Sequence, residues 1–324
     1  MKSYRMFSFL VATVFAVATG SAKAQQFPNG TVRIINPFAA GGATEVMARA
    51  IAQRLSEVWG QPVIVESRPG AGSVLGVDSV VKSPADGHTL LFTDSASFTI
   101  TPHINSKLPY DPLKDLAPLA LCARIAPVLA AANNAPFNSV PEMLAYANAN
   151  PDALTFASSG VGSYMHIAME YLKHMTGTKI LHVPFRGSNL VVPELLAGRI
   201  SMYMATLSVF DQYALDGKMK IVAAATEKRL PQRPNLATIG EAVPGYFISS
   251  WFGMAAPAGT PSVLLDKIHA DIMRVIAEPA FKSVFVDKQF FQVGDLNRAD
   301  LIKTVHAEHK KWGELISLAG VPQQ

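Results

Sequence analysis

Apolar and polar positions follow a recurring order along the chain: a short apolar run, a glycine-rich loop, then a segment whose apolar residues lie three or four apart. Short apolar runs predict strands, and the wider spacing predicts amphipathic helices. Strands are predicted first at 32–36, 63–66 and 89–93, with helices from Thr44 or Glu45 to the residue before Gly60 and over Val74–Lys82. Strands that alternate with helices are typical of a parallel sheet covered by helices.

The same order begins again after a strand-like apolar stretch at Leu119–Ala132. Strands are predicted here at 154–157, 180–183, 201–205 and 221–225, and helices over 140–148, from Ser163 to Gly177 and over 191–196. Ser163 is predicted to cap its helix. A strand at 251–256 and helices from Thr260 and over 298–318 are expected to return to the first unit, because they form no core of their own.

These patterns predict an α/β protein of two interleaved domains joined by two crossings. The first domain is expected to contain residues 25–124 plus 250–324, and the second residues 125–249. A chain of 324 residues is long enough for two domains. Its 49% apolar and 16% charged residues exclude a disordered protein.

The first 24 residues have the pattern of a secretory signal peptide. Lys2 and Arg5 precede an apolar segment at Met6–Thr19, and Ala22-Lys23-Ala24 supplies a small-x-small cleavage site. A membrane anchor is the alternative, but the apolar segment is shorter than the ~20 residues needed to span a bilayer. We expect cleavage after Ala24 and a periplasmic mature protein without a lipid anchor, because no cysteine lies directly after the segment.

Net charge does not indicate a nucleic-acid partner. Three of the 28 basic residues lie in the first 24 residues and none of the 24 acidic ones does, so the remainder is nearly neutral despite a formal charge of +4. That remainder has no run of Lys or Arg. The single cysteine, Cys122, lies within an apolar run and is predicted to be a core residue rather than a nucleophile.

Two glycine-rich loops, Ala39–Thr44 and Ser158–Ser163, carry the clearest indication of a binding site. Each follows a predicted strand and precedes a predicted helix. The first N–H groups of a helix lack partners within the helix, and together with the helix dipole they bind carboxylate or phosphate. Glycines before helices are also common in plain turns, but one loop per domain predicts two anion sites that face each other across a cleft.

The sequence gives less support to a dinucleotide site, a catalytic triad or a metal site. Glycines 70, 72 and 76 approach a dinucleotide fingerprint, but Leu75 stands where its third glycine belongs, so a tight strand-to-helix turn is favoured. There is no G-x-S-x-G motif, and Ser163 with His166 has no identifiable acid to complete a triad. His306 and His309 lie among lysines, which favours a solvated helix face over a metal site.

Several motifs in a fixed order resemble the Bug (Bordetella uptake gene) receptors, the periplasmic substrate-binding components of tripartite tricarboxylate transporters. The resemblance covers the chain from about Pro28 onward. Its motifs are the stretches 37–44, 66–72, 84–87, 110–112, 159–163 with His166, 182–187, 251–253 and 256–261. Three positions depart from the family pattern: Glu45 stands where Asp is usual, Ser67 stands where Asn is usual, and the family usually has an Asp near Ser201.

The resemblance implies a two-domain periplasmic-binding-protein fold of the Venus flytrap, type II-like kind, with two crossover strands, closing over a small carboxylate. The family's carboxylate-binding loops match the two loops above. The expected ligand-binding residues are Phe38, Ala39, Ala40, Gly41, Gly42, Ala43, Thr44, Glu45, Ser158, Ser159, Gly160, Gly162, Ser163, His166, Pro184 and Phe185. Glu45 either narrows the pocket and favours a ligand with a hydrogen-bond donor, or only complements the helix dipole.

The function expected from these residues is capture of a small organic carboxylate or dicarboxylate for the membrane permease subunits of a transporter. No catalysis, cofactor, metal or nucleic acid is expected, and the protein is expected to be a monomer. Two helix N-termini favour a dicarboxylate or a carboxylate with a second polar end, although an inward Glu45 would oppose a second full charge. A ligand-sensing subunit of a membrane kinase and an exported carboxylate-ester hydrolase remain alternatives.

Overall fold

The computed structural model describes residues 27–38, 40–161, 163–185, 190–248, 250–318 and 323. The predicted signal peptide and its cleavage site after Ala24 lie outside the described residues. The same is true of four residues in the motifs singled out above, Ala39, Gly162, Arg186 and Gly187.

The described residues form eleven strands and thirteen α-helices. The strands are β1 Val32–Asn36, β2 Val63–Ser67, β3 Thr89–Asp94, β4 Leu116–Arg124, β5 Pro127–Ala132, β6 Thr155–Ser158, β7 Leu181–Pro184, β8 Met202–Thr206, β9 Met219–Ala224, β10 Trp251–Pro257 and β11 Gln292–Val293. The helices are α1 Ala43–Trp59, α2 Val74–Val81, α3 Ala96–Thr99, α4 Thr101–Ile104, α5 Pro112–Asp115, α6 Val140–Ala149, α7 Tyr164–Thr176, α8 Val191–Leu196, α9 Leu207–Leu215, α10 Ile239–Ala242, α11 Ser262–Ala277, α12 Pro279–Lys282 and α13 Arg298–Leu318.

The strands form two mixed sheets. The first has the order β11-β4-β10-β3-β1-β2, in which β1 lies parallel to β2 and β3 while β10 is antiparallel to β3 and β4. The second has the order β7-β6-β8-β5-β9, in which β6 lies parallel to β7 and β8 while β5 is antiparallel to β8 and β9. Helices follow the parallel strands, as the alternating pattern predicts.

The chain crosses between the sheets twice. It passes from β4 to β5 through Ile125 and Ala126, and it returns between β9 and β10. The two crossing segments are hydrogen-bonded to each other, because the Ile125 N–H donates to the Ser250 oxygen at 2.8 Å. The apolar stretch Leu119–Ala132 is therefore two strands in different sheets rather than one strand-like segment.

Buried apolar side chains form a core on both faces of each sheet. The C-terminal helix α13 contributes to two of these cores. Leu301 and Val305 pack against the first sheet, whereas Trp312 and Ile316 join the core of the second sheet around Phe156. A helix of 21 residues is about 30 Å long, so α13 reaches both sheets and does not belong to the first unit alone.

Glycines end the two helices that follow the candidate loops. Gly60 and Gly177 adopt the left-handed conformation directly after α1 and α7, as expected of glycines that stop a helix. Cys122 is fully buried in the core of the first sheet, as predicted, and burial raises the pKa of its thiol. None of the helices in the described part of the chain has both the length and the apolar character required to cross a membrane.

Candidate functional site

The first candidate loop connects β1 to α1 at the edge of the first sheet where β1, β2 and β3 all end. Asn36, the last residue of β1, is fully buried. Its Nδ2 donates to the backbone oxygen of Phe38 and to Oγ of Ser67, both at 3.1 Å. These bonds attach the start of the loop to the end of β2. The four described residues that follow Phe38 are exposed: Ala40, Gly41, Gly42 and Ala43.

Glu45 lies in the first turn of α1 beside the buried Thr44, and it is only 6% exposed. Its Oε2 accepts the N–H of Gly41 at 2.6 Å, and its Oε1 accepts Nε of Arg49 at 2.9 Å. The Gly41 N–H, followed by the Arg49 guanidinium, lowers the pKa of the Glu45 carboxyl, which is therefore ionised at neutral pH. Glu45 thus places its own negative charge at the N-terminus of α1, where it complements the helix dipole.

The second candidate loop connects β6 to α7 at the corresponding edge of the second sheet. Ser158, the last residue of β6, is fully buried. Its Oγ donates to the Gly160 oxygen at 3.0 Å and accepts the Gly160 N–H at 3.1 Å. Gly160 has a φ of 142°, a conformation that residues with a side chain rarely adopt. Ser158 therefore holds a turn that requires glycine at position 160, with Ser159 half-buried between them.

Ser163 occupies the N-cap position of α7, as predicted, but the prediction that its hydroxyl caps the helix is wrong. The side chain makes no capping hydrogen bond, and Oγ is buried without a partner among the described residues. The first turn of α7 also contains no acidic residue. The N-terminal N–H groups of α7 are therefore not neutralised by a local carboxylate, in contrast to those of α1.

A stack of aromatic rings lies beneath the second loop. The rings of His166 and His182 are stacked with their centroids 4.0 Å apart, and the ring of Phe156 lies 4.7 Å from His182. Burial lowers the pKa of His182 to about 4, together with the positive charges that His166 and Lys173 can carry. This imidazole is therefore neutral at pH 7. Burial is also the main cause that lowers the pKa of His166. His166 is 6% exposed, and its ring packs between His182 and the side chains of the core.

His182 contacts the loop directly, because its Nε2 lies 2.7 Å from Oγ of Ser158. A serine beside a neutral histidine has the composition of a nucleophile and its base. Ser158 is fully buried, however, and its Oγ is already engaged with both backbone groups of Gly160. The pair therefore stabilises the turn, and an attack on a substrate would require this turn to be dismantled.

Pro184 and Phe185 lie next to the second loop because β7 pairs with β6. Pro184 is opposite Ser158 in the ladder and is exposed. The N–H of Phe185 donates to the Ser158 oxygen at 3.0 Å, and its half-buried ring packs against the core of the second sheet. The structure thus groups Pro184 and Phe185 with the second loop, and it groups the half-buried Phe38 with the first.

Tyr164 connects the second loop to the edge of the first sheet. Burial raises the pKa of its hydroxyl, and the carboxylates of Glu308 and Asp94 raise it further, whereas a hydrogen bond with Ser250 lowers it. Asp94 is the last residue of β3, and Ser250 immediately precedes β10. The start of α7 therefore faces the edge of the first sheet, at which the first loop also begins.

Asp94 and Asn36 were not selected from the sequence, yet each has a buried oxygen at this edge. Oδ1 of Asn36 and Oδ1 of Asp94 have no hydrogen-bond partner in the described part of the chain. Burial raises the pKa of Asp94 to about 6. A sequence signal for both existed, since each is a polar residue that ends an apolar strand.

A pocket of about 450 Å³ lies elsewhere, beside the two crossing segments. Arg124, Lys228, Phe247, Gln292 and Glu308 are among the residues that line it. None of the sixteen residues expected to bind the ligand contributes to its walls. The two candidate loops lie at the sheet edges, and this pocket approaches the second of them through Ser250 and Glu308, which both act on Tyr164 at the start of α7.

Relatives of the chain are found along almost its whole length. The profile of the family described as "Tripartite tricarboxylate transporter family receptor" matches residues 47–321. A UPF0065 protein from the tcbD-tcbE intergenic region of Pseudomonas sp. (strain P51) is 33% identical over 95% of this chain and 92% of its own length. Protein BugT of Bordetella pertussis is 30% identical over 85% of this chain and 86% of its own length.

Solved structures have the same fold. Rpa4515 of R. palustris with adipate is 30% identical, with a TM-score of 0.79 over 92% of this chain and 100% of its own. MatC from Rhodopseudomonas palustris with bound malate is 28% identical, with a TM-score of 0.74 over 90% of this chain and 100% of its own. These similarities extend over both sheets.

Proposed function

We propose that the chain, which belongs to the tripartite tricarboxylate transporter receptor family, captures a small organic carboxylate in the periplasm and presents it to the membrane permease of a transporter. The resemblance to Bug receptors and the two-domain periplasmic-binding-protein fold, both expected from the sequence, are confirmed by these relatives. The relatives solved with adipate and malate support a carboxylate as the ligand. The family is one of receptors rather than enzymes.

The observation that carries the proposal is the N-terminus of α7. Its first turn has no acidic residue, and Ser163 Oγ is unpartnered beside it among the described residues. Such a helix start carries about half a positive charge and binds a carboxylate through backbone N–H groups. Because Tyr164 places this start against the edge of the first sheet, a ligand here would contact both sheets at once.

The proposed binding site consists of the sixteen residues expected from the sequence, divided between the two loops and their neighbours. The first domain contains residues 25–124 plus 250–324, and the second contains residues 125–249. Closure of these two domains about the crossing segments would enclose the ligand. The protein would reach the periplasm through the segment 1–24, cleaved after Ala24. Its partners would be the permease subunits of the transporter, which accept the ligand from the closed form.

Carboxylate binding is expected to raise the stability of the mature protein in a concentration-dependent manner. A ligand present at 100 times its dissociation constant stabilises the folded state by about 2.7 kcal/mol. Thermal denaturation against a panel of mono- and dicarboxylates, followed by calorimetry of the positive compounds, measures this effect. A folded protein that binds no carboxylate in the panel would contradict the proposal.

The same ligand should make the protein more compact. Small-angle X-ray scattering with and without a saturating carboxylate measures the radius of gyration, which should decrease on closure. Binding without any decrease would contradict capture between the domains. Hydrolysis of carboxylate esters by the purified protein would favour the hydrolase alternative, and docking of the closed form on a membrane kinase would favour the sensor.

Ser163→Ala is expected to weaken carboxylate binding about tenfold or more while leaving the free energy of unfolding within about 0.5 kcal/mol. The reason is that Ser163 Oγ has no partner among the described residues and makes no cap. Ser139→Ala is the matched control, because Ser139 does cap its helix by accepting the Glu142 N–H. That variant should lose about 1 kcal/mol of stability and keep its affinity. Equal affinities of the Ser163 variant and the wild type would exclude a ligand contact.

A further inference from the structure

A carboxyl group lies at the edge of the first sheet that faces the start of α7. Asp94, the last residue of β3, is half-buried, and its Oδ1 is buried without a hydrogen-bond partner in the described part of the chain. Burial raises the pKa of this carboxyl to about 6, although the N–H groups of Ser97 and Ala96 in the following turn donate to it and lower the pKa. Asp94 therefore exchanges its proton just below neutral pH.

Tyr164 connects this carboxyl to the start of α7. Its hydroxyl forms a hydrogen bond with Ser250, and Oγ of Ser250 lies 3.5 Å from Oγ of Ser95, the residue that follows Asp94. Burial raises the pKa of Tyr164, and the charges of Glu308 and Asp94 raise it further. Because Tyr164 is the first residue of α7, a carboxylate bound at the start of this helix lies within range of the charge on Asp94.

The groups around Asp94 offer no positive charge to compensate it. No basic side chain among the described residues acts on its carboxyl, and Phe252 of β10, its partner in the ladder, is apolar. At the start of α1, which also packs against β3, Glu45 is already paired with Arg49. Glu308 of α13 is a further acid. A ligand carboxylate that approaches Asp94 therefore meets a negative charge that has no ion pair.

Two carboxylates that approach each other without a cation between them raise each other's pKa, until one of them holds a proton. The N–H groups at the start of α7 stabilise the ionised form of a ligand carboxylate. The proton is therefore held at the other end of the ligand, where Asp94 lies. Protonated Asp94 can donate a hydrogen bond to a second ligand carboxylate, whereas ionised Asp94 can only accept one.

We propose that Asp94 is a specificity-determining residue of the site, and that it binds the second carboxylate of a dicarboxylate together with one proton taken up from the solvent. This inference rests on the proposed function, since it assumes a first carboxylate held at the start of α7. The complex contains the protein, the dianion and one proton from water, so no other reactant is needed. A monocarboxylate has no second carboxylate for Asp94, and its binding should depend less on pH.

Calorimetry at several pH values tests the inference. The probes are succinate, malate, glutarate and adipate, titrated into the wild-type protein between about pH 6.5 and 8.5, where carboxylates in water are ionised. The tightest binder should bind about tenfold more tightly at the lower pH, because its complex holds a proton that free Asp94 mostly lacks. Below about pH 6 the free protein is protonated too, and this gain should level off. Titrations in two buffers of different ionisation enthalpy should show uptake of about one proton.

Two results of these titrations would overturn the inference and leave the proposed function intact. One is a dicarboxylate that binds with the same affinity across this pH range and without proton uptake. The other is a protein that binds monocarboxylates but none of the four dicarboxylates. A folded protein that binds no carboxylate at either pH would overturn both the inference and the proposed function.

Asp94→Asn assigns the proton to its residue. Asparagine keeps an oxygen for the N–H groups of Ser97 and Ala96 and carries a permanent donor, as protonated aspartate does. The affinity of this variant for the dicarboxylate should change by less than about twofold between the two pH values, and at the higher pH it should exceed the wild-type affinity about tenfold or more. Asp94→Ser also removes the ionisable group and gives the same pH test if the asparagine variant does not fold.

Asp86→Asn is the matched control for the loss of an aspartate. Asp86 is exposed in the turn before β3, where its Oδ1 accepts the His88 N–H. This variant should keep the pH dependence and the proton uptake of the wild type. An unchanged pH dependence in Asp94→Asn would overturn the role of Asp94 and assign the proton to another group near the start of α7, such as His166.

Discussion

Trp251→Ala is expected to lower the free energy of unfolding by about 3–5 kcal/mol, a value typical of a large aromatic side chain removed from a core. Trp251 begins β10 at the crossing between the sheets and is 2% exposed. Its ring packs against Phe98, with centroids 6.0 Å apart, and its Nε1 donates to Oε2 of Glu308 at 2.8 Å. The substitution therefore leaves a cavity and removes a donor from a buried carboxylate. Urea denaturation measures the loss.

Trp251→Phe separates the two contributions. Phenylalanine keeps most of the ring volume but has no N–H, so the loss should be about 1 kcal/mol and reflect Glu308 alone. Trp59→Phe is the matched control, since Trp59 donates to Asp271 at the same 2.8 Å but is half-buried, and Asp271 also pairs with Lys267. The control should lose less. If Trp251→Phe cost as much as Trp251→Ala, the assigned roles of cavity and hydrogen bond would be wrong.

Long amphipathic elements were predictable because their pattern repeats over several turns. The helix predicted at 298–318 is α13, with the same bounds. The starts of α1 and α7 were placed within two residues, because a glycine-rich loop precedes each and a glycine follows it. Local sequence determines these elements, and packing only selects the face that is buried.

Short elements and the crossing were not predictable in the same way. Helices α3, α4 and α5 have four residues each, which is about one turn and too short to reveal a period. The stretch Leu119–Ala132 was predicted as one strand-like segment because no glycine marks the change of sheet between Arg124 and Pro127. That change is decided by pairing with β10 on one side and β8 on the other.

The loops of the site were predictable, whereas the chemistry of their side chains was not. Glycine and helix patterns identify both loops without reference to the fold. The contact of Ser158 with His182 joins residues 24 positions apart, and no local pattern indicates it. Whether Ser163 caps its helix and where the Glu45 carboxylate points depend on rotamers that the surrounding fold selects. Sequence therefore located the two loops, and only the structure distinguished their chemistry.

Gly76→Ala is expected to lower the free energy of unfolding by about 3 kcal/mol, the upper end of the usual effect of overpacking, and to weaken ligand binding at the first loop. Gly76 lies in α2, where a Cβ would be 2.7 Å from the backbone oxygen of Arg68 and 2.7 Å from Cα of Pro37. Backbone atoms cannot rotate away as a flexible side chain does. The clash must therefore displace the segments that follow β1 and β2, and the first of these is the candidate loop itself.

Helix propensity alone predicts that Gly76→Ala raises the free energy of unfolding. The substitution therefore distinguishes the effect of packing from that of propensity. Alanine in place of glycine within a helix stabilises it by about 1 kcal/mol when nothing else changes. Gly30→Ala is the matched control, since a Cβ added at Gly30 would have no atom within 4 Å and should change stability by no more than about 0.5 kcal/mol. Urea denaturation and calorimetry on both variants give the two readouts. A Gly76→Ala protein as stable as the wild type would show that α2 does not press against the first loop, and that the loop's conformation is held by Asn36 and Glu45 without it.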